Sequence, residues 1–171
     1  MKQLISFLVI SGFLSTTSLA LAKKEETKYP RQKISLSGAT LPNTPKSLTV
    51  KDLESFKKPA AQVTLYDPYN KNIKTLFYGF YLKDFAKAYG DSQYKTLKIE
   101  AIDGYKVDVP RSTIENENLF LTYKDETGYL TVDRMGPARI FAPINGVINK
   151  DTLLKIGVYW VWQINKFEFV K

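Results

Sequence analysis

The sequence predicts an α+β fold, predominantly β, with two or three short helices. Short stretches in which apolar and polar residues alternate recur along the chain, separated by Gly, Pro, Asn and Asp. One segment alone carries a clear helical period, Leu82, Phe85, Ala86 and Tyr89 at i, i+3, i+4 and i+7. The 171 residues are 44% hydrophobic, enough for one ordinary core.

Residues 23–33, "KKEETKYPRQK", are charged and carry a proline, so they read as an arm. "GATLPNTPKSL", 38–48, has two prolines and turn residues and reads as loop. "TVKDLESFKK" predicts a strand end and then a short helix capped near Thr49 or Lys51. "AQVTLYD" and "IKTLFYG" predict two strands, joined as a hairpin through the turn "PYNKN". "YLKDFAKAYG" predicts the clearest helix, with Gly90 as its C-cap. "KTLKIEAI" and "KVDVP" predict a second hairpin through an Asp103-Gly104 turn. "NLFLTYKDETGYLTV" predicts a third, turning around "KDETG". "ARIFAP" is a short buried strand, and "KDTLLKIG" a short helix or loop. "VYWVWQINKFEFVK" predicts one long closing strand. Val158, Trp160, Trp162 and Ile164 share a face, with a change of face near Asn165.

The first 22 residues have the form of a secretory signal: Lys2, an apolar run from Leu4 to Leu14, and an A-x-A site at Ala20–Ala22. The expected organisation is a signal peptide at 1–22, an N-terminal arm at 23–45 and one domain at 46–171. The expected location is periplasmic or secreted, after cleavage behind Ala22. The chain holds 25 Lys and Arg against 17 Asp and Glu, a net charge of +8. The lysines are scattered rather than gathered into a stripe, so nucleic acid is not an expected partner. The chain has no Cys and no His. That removes disulfides, thiolate ligands, the commonest metal ligand and the commonest general base.

Five segments, in order, resemble the molybdopterin-binding domain of the sulfite-oxidase-type fold family. They are "LTVKDLESF", "FYGFYLKDFAKAYG", "IEAIDGYKVDVP", "LFLTYKDETGYLTVDRMGPARIFAP" and "VWQINKFEF". The likeness runs from about Leu48 to Lys171 and is to the small, single-domain exported members. The resemblance implies that family's fold. Its molybdenum enzymes hold the metal through a cysteine, which this chain lacks, so molybdenum redox catalysis is not expected. The cysteine-free members include periplasmic pterin-binding regulators (PruR-like). The resemblance therefore implies a non-catalytic protein that takes a reduced pterin and acts on the periplasmic domain of a membrane-bound cyclic-di-GMP signalling enzyme. Two other readings stay open: a structural or interaction module whose pocket is closed by Trp160 or Arg139, and a molybdopterin-dependent oxidoreductase without the usual cysteine.

A pterin offers a donor edge, which calls for a carboxylate, and flat faces, which call for aromatic rings. Asp103 is the candidate carboxylate, or else only the first residue of its turn. Asp108 is the fallback. Tyr105 and Tyr123 are expected at a cleft with usable hydroxyls. Trp162 sits at a family-typical position, where it either meets ligand or packs in the core. Small exported members often carry an arginine just before "WVWQ", and this chain has Tyr159 there. "DRMGPARIFAP" is expected at the pocket edge. Arg134 and Arg139 offer planar donor forks, Gly136 allows close backbone approach to a ligand, and Pro137 fixes the turn. Arg134 is alternatively an ion-pair partner of Asp133 or Asp125. Arg139 enters a buried strand and must snorkel, pair or face a pocket.

Overall fold

The computed structural model describes residues 29–56, 61–67, 73–142 and 150–171. The expected signal peptide, the first residues of the expected arm and the expected turn "PYNKN" lie outside them.

Two five-stranded sheets pack face to face. The first holds β1 (Lys33–Gly38), β2 (Ser47–Thr49), β5 (Thr96–Ala101), β6 (Lys106–Pro110) and β10 (Ile164–Val170), in the order β2-β1-β10-β5-β6. The second holds β3 (Ala61–Asp67), β4 (Ile73–Tyr81), β7 (Phe120–Asp125) and β8 (Gly128–Tyr129) in that order, and β9 (Arg139–Phe141) also pairs with β7. Every pairing is antiparallel except β1 with β10. The helices are α1 (Val50–Phe56), α2 (Leu82–Tyr89), α3 (Arg111–Asn116) and α4 (Lys150–Ile156). The mixed, mostly β class is as expected.

The alternation in the sequence becomes the core between the sheets. Ile34, Leu36, Leu97, Ile99, Phe167 and Phe169 from the first sheet meet Phe80, Leu121, Tyr123 and Ile140 from the second. α2 inserts Phe85 into this core, its ring 4.7 Å from that of Phe167. Full burial of such a ring stabilises the fold by roughly 1.5–3 kcal/mol. The second sheet buries its other face too, through Phe77, Phe120, Phe141 and Trp160. The first sheet's other face is open and charged. Lys166 stands opposite Glu100, and Glu100 opposite Lys106; Glu168 stands opposite Lys98, and Lys98 opposite Asp108. Opposite charges thus alternate across the strands, which supports the register.

α1 is capped at Thr49, one of the two positions expected, through a capping box. Thr49 Oγ1 lies 3.3 Å from the Asp52 backbone nitrogen, and Asp52 Oδ2 accepts the Thr49 backbone N–H at 2.8 Å. The Thr49 hydroxyl and backbone N–H hold the Asp52 carboxyl below its ordinary pKa. α2 ends at Gly90, but φ is −79°, not left-handed. A Cβ there would lie 2.6 Å from the Phe169 ring, so packing demands the glycine, not conformation.

Three expectations need correction. The expected arm, 23–45, contains β1, which lies between β2 and β10 and buries Ile34 and Leu36, so the sheet begins at Lys33. The closing strand is shorter than predicted. Gly157–Tyr159 form a 3-10 turn, Val161 makes an isolated bridge to Ile140, and only Ile164–Val170 is strand. The change of face near Asn165 is a register shift between Ile164 and Lys166. Finally, α3 was not foreseen: it contributes one buried residue, Ile114, too few to produce a period.

Candidate functional site

A cleft of about 380 Å³ opens where three chain segments meet. That is within the range of small-molecule sites, roughly 300–1,000 Å³. The β5–β6 turn supplies Asp103 and Tyr105, the turn before β9 supplies Met135, and the segment before β10 supplies Trp160, Trp162 and Gln163.

The β5–β6 turn is built by its own residues. Gly104 takes φ +88°, and its N–H donates to the Ala101 carbonyl at 3.0 Å. Asp103 Oδ1 accepts the Tyr105 backbone N–H at 2.9 Å, an Asx turn. Both readings of Asp103 therefore meet in one side chain. One oxygen shapes the turn, and the carboxylate stands exposed at the cleft. Tyr105 donates its hydroxyl to the Val158 carbonyl at 2.9 Å, which ties this turn to the 3-10 turn across the cleft.

The opposite wall hangs on Val161. Its backbone exchanges two hydrogen bonds with Ile140, at 2.8 and 3.0 Å, and its side chain is fully buried. Trp160 and Trp162 flank this anchor. Trp160 is 6% exposed and belongs to the cluster with Phe77, Phe120 and Phe141, so it is a wall shared by core and cleft. Trp162 is only half-buried. Gln163 takes a left-handed φ of 51°. Its N–H donates to the Met135 carbonyl at 3.0 Å, its carbonyl accepts from Ile102 at 2.9 Å, and its side-chain amide donates to the Val132 carbonyl at 2.8 Å. One residue therefore locks all three segments together. Sequence reasoning missed Gln163 and Met135, because a left-handed backbone in a Gln has no compositional signal.

The structure brings Asp103, Tyr105 and Trp162 together and sends the other four expected residues elsewhere. Tyr123 is 2% exposed and packs in the core, with its ring 6.4 Å from that of Phe80. Burial, then the nearby Glu54 and Tyr29, push its phenol up to about 12. Arg134 Nη2 lies 2.5 Å from both Asp125 oxygens and also reaches Thr127 Oγ1, while Nη1 donates to the Tyr129 carbonyl at 2.9 Å. Its fork is taken up in closing the β7–β8 hairpin, with Asp125 as its ion-pair partner. Gly136 does allow a close backbone approach, but to protein: a Cβ would lie 2.1 Å from the Leu130 carbonyl oxygen. Arg139 is 4% exposed and faces the second sheet's outer cluster, with its guanidinium 5.4 Å from the Phe77 ring centre. It does not fill the cleft. Asp108 points to the open charged face of the first sheet. Tyr159 is partly buried against the main core.

Chemically, the cleft offers two indoles, one carboxylate, one phenol and one primary amide. Its sulfur is the thioether of Met135, a much weaker donor than a thiolate, so the donor set does not fit a cysteine-ligated molybdenum centre. No helix among the described residues is long and apolar enough to cross a membrane. No protein-family model matches the chain, and no curated protein matches it.

Proposed function

We propose that this chain is an exported, non-catalytic pterin-binding protein that regulates a membrane-bound cyclic-di-GMP signalling enzyme through that enzyme's periplasmic domain. The observation that carries the reading is the convergence of Asp103, Tyr105 and Trp162, from two separate segments, on one open cleft of about 380 Å³. These residue types suit a flat, polar heterocycle. The half-buried indole of Trp162 offers a ring face. Asp103 offers a carboxylate to an amino-pyrimidine edge, and a charge-assisted pair of that kind contributes about 1.5–3 kcal/mol. The amide of Gln163 fixes the wall rather than the ligand.

A protein partner is supported by the rim. Ile102, Tyr105 and Val158 border the cleft at 46%, 43% and 46% exposure, and exposed apolar side chains gathered at one place mark contact surfaces. Ligand and partner would then share one surface, so that occupancy changes what the partner meets.

The test is calorimetric titration of the purified protein with tetrahydropterins and with oxidised pterin. Reduced pterin should bind. Asp103→Asn retains an acceptor for the Asx turn and removes the charge, so it should weaken binding about 10–100-fold with little change in melting temperature. Absence of binding across the panel, or an unchanged affinity in Asp103→Asn, overturns the reading.

A further inference from the structure

A second cleft, of about 600 Å³, lies between α2, α3 and the loop after β1. It is remote from the first. Tyr94, which lines it, precedes β5, and Asp103 follows β5, so the six residues of that strand separate the two by about 20 Å.

The floor is apolar, with Ala86 and Ile114 buried and Leu41 38% exposed at the edge. Over it stands Arg111, fixed from three sides. Its guanidinium lies 5.0 Å from the centre of the Tyr94 ring, Nη1 donates to the Ser92 carbonyl at 2.8 Å, and Nε donates to Glu115 Oε1 at 2.7 Å. Nη2 has no protein acceptor among the described residues. A planar donor group held still with one amine left over is a prepared anion contact, because little rotamer freedom remains to be lost on binding. Lys83 and Lys87, one turn apart on α2, line the same cleft, and neither meets a carboxylate among the described residues.

Three anions line the cleft as well. Glu115 is taken by Arg111, and Asp91 lies 3.6 Å from the Lys171 ammonium, which comes from outside the cleft. Asp84 has an interaction of its own. Counting Lys171, four cations face three anions, in a chain whose net charge is +8.

We propose that this cleft is a second ligand site, for a small organic anion with an apolar body. The acid group, carboxylate or phosphate, meets Arg111 Nη2 and the Lys87 ammonium. The body covers Leu41, Ala86 and Ile114. This site is independent of the pterin reading, and either can fail alone.

Phenyl phosphate is a suitable probe, with benzyl alcohol as its neutral counterpart, both followed by calorimetry on the whole protein. Phenyl phosphate should bind at least tenfold more tightly than benzyl alcohol, and added salt should weaken it. The double variant Arg111→Gln/Lys87→Gln should lose at least tenfold. Lys87→Gln alone, at an exposed position on α2, should lose part of the affinity without a change in melting temperature. Trp162→Ala, in the first cleft, should bind phenyl phosphate as the wild type does. No phenyl phosphate binding, equal affinity in the double variant, or loss of binding in Trp162→Ala each overturns the proposal.

Discussion

At the residue scale, Arg134 shows how a side chain suited to ligand binding can be taken by its own fold. Its guanidinium joins Asp125, Thr127 and the Tyr129 carbonyl, all within the β7–β8 hairpin. The Asp125 side chain is 13% exposed. Burial pushes its carboxyl up, but the hydrogen bonds from Arg134 and Thr127 outweigh that and hold it below its ordinary pKa. A carboxyl depressed in the folded state contributes stability above its unfolded pKa, about 3.9, and loses it as pH falls through the lower folded value. Arg134→Ala should therefore cost about 1.5–3 kcal/mol at pH 7. The difference from wild type should shrink below about pH 4, as both proteins protonate Asp125. Urea unfolding at pH 7 and pH 3 measures this. A difference that does not change with pH would show that the pair carries no stability. Pterin affinity should be untouched, since Arg134 lies outside the cleft lining.

At the element scale, what was legible in the sequence was whatever has a period or a cap. α2 was readable because its three buried residues, Leu82, Phe85 and Ala86, recur at helical spacing. α1 was readable through its expected cap near Thr49 or Lys51, and the structure puts the cap at Thr49. The segment from Val158 to Gln163 was misread because two successive residues, Trp160 and Val161, are buried on opposite sides. Trp160 packs against one cluster and Val161 against the other, which mimics strand alternation while the backbone turns. Asp103, Tyr105 and Trp162 were legible as candidates by residue type. Their convergence depends on Gln163, whose left-handed backbone leaves no trace in composition. Gly90 was legible as a helix end, but for the wrong reason. Because φ is −79°, alanine is conformationally allowed there, and the penalty comes from its Cβ, 2.6 Å from the Phe169 ring and 2.9 Å from the Ala86 carbonyl oxygen. Gly90→Ala should destabilise by about 1–3 kcal/mol through overpacking. The companion Phe169→Leu, which clears the ring, should restore part of that loss in a double variant. Thermal melts of the two single variants and the double form the cycle. Additive losses would place the strain in the backbone and not at this contact.

At the scale of the whole molecule, the first and last strands close the fold together. β1 runs parallel to β10, with Ser35 opposite Lys166 and Gly38 opposite Phe169, and it separates β10 from β2. A second tie follows at once, where the Ala39 N–H donates to the Phe169 carbonyl at 2.7 Å and the Ala39 carbonyl accepts from Asp91 at 2.9 Å. A chain starting at Lys46, the boundary the sequence suggests, lacks all of this. It loses the fully buried Ile34 and the 5%-exposed Leu36, each contributing roughly 1.5–3 kcal/mol, together with the pairings of β1 to β2 and to β10. Against a typical total of about 5–15 kcal/mol, that loss takes most of the margin. It also leaves the long β10 as an open edge, a template for aggregation. A fragment of residues 46–171 should therefore show no cooperative melt and should sediment as aggregate. A fragment of residues 29–171 keeps β1 whole and retains the Tyr29 hydroxyl, which donates to Glu54 at 2.6 Å. It should melt cooperatively, within a few degrees of the chain beginning at Lys23. Cooperative unfolding of the 46–171 fragment would show that β1 is dispensable, and that the core around Phe85 and Phe167 closes without it.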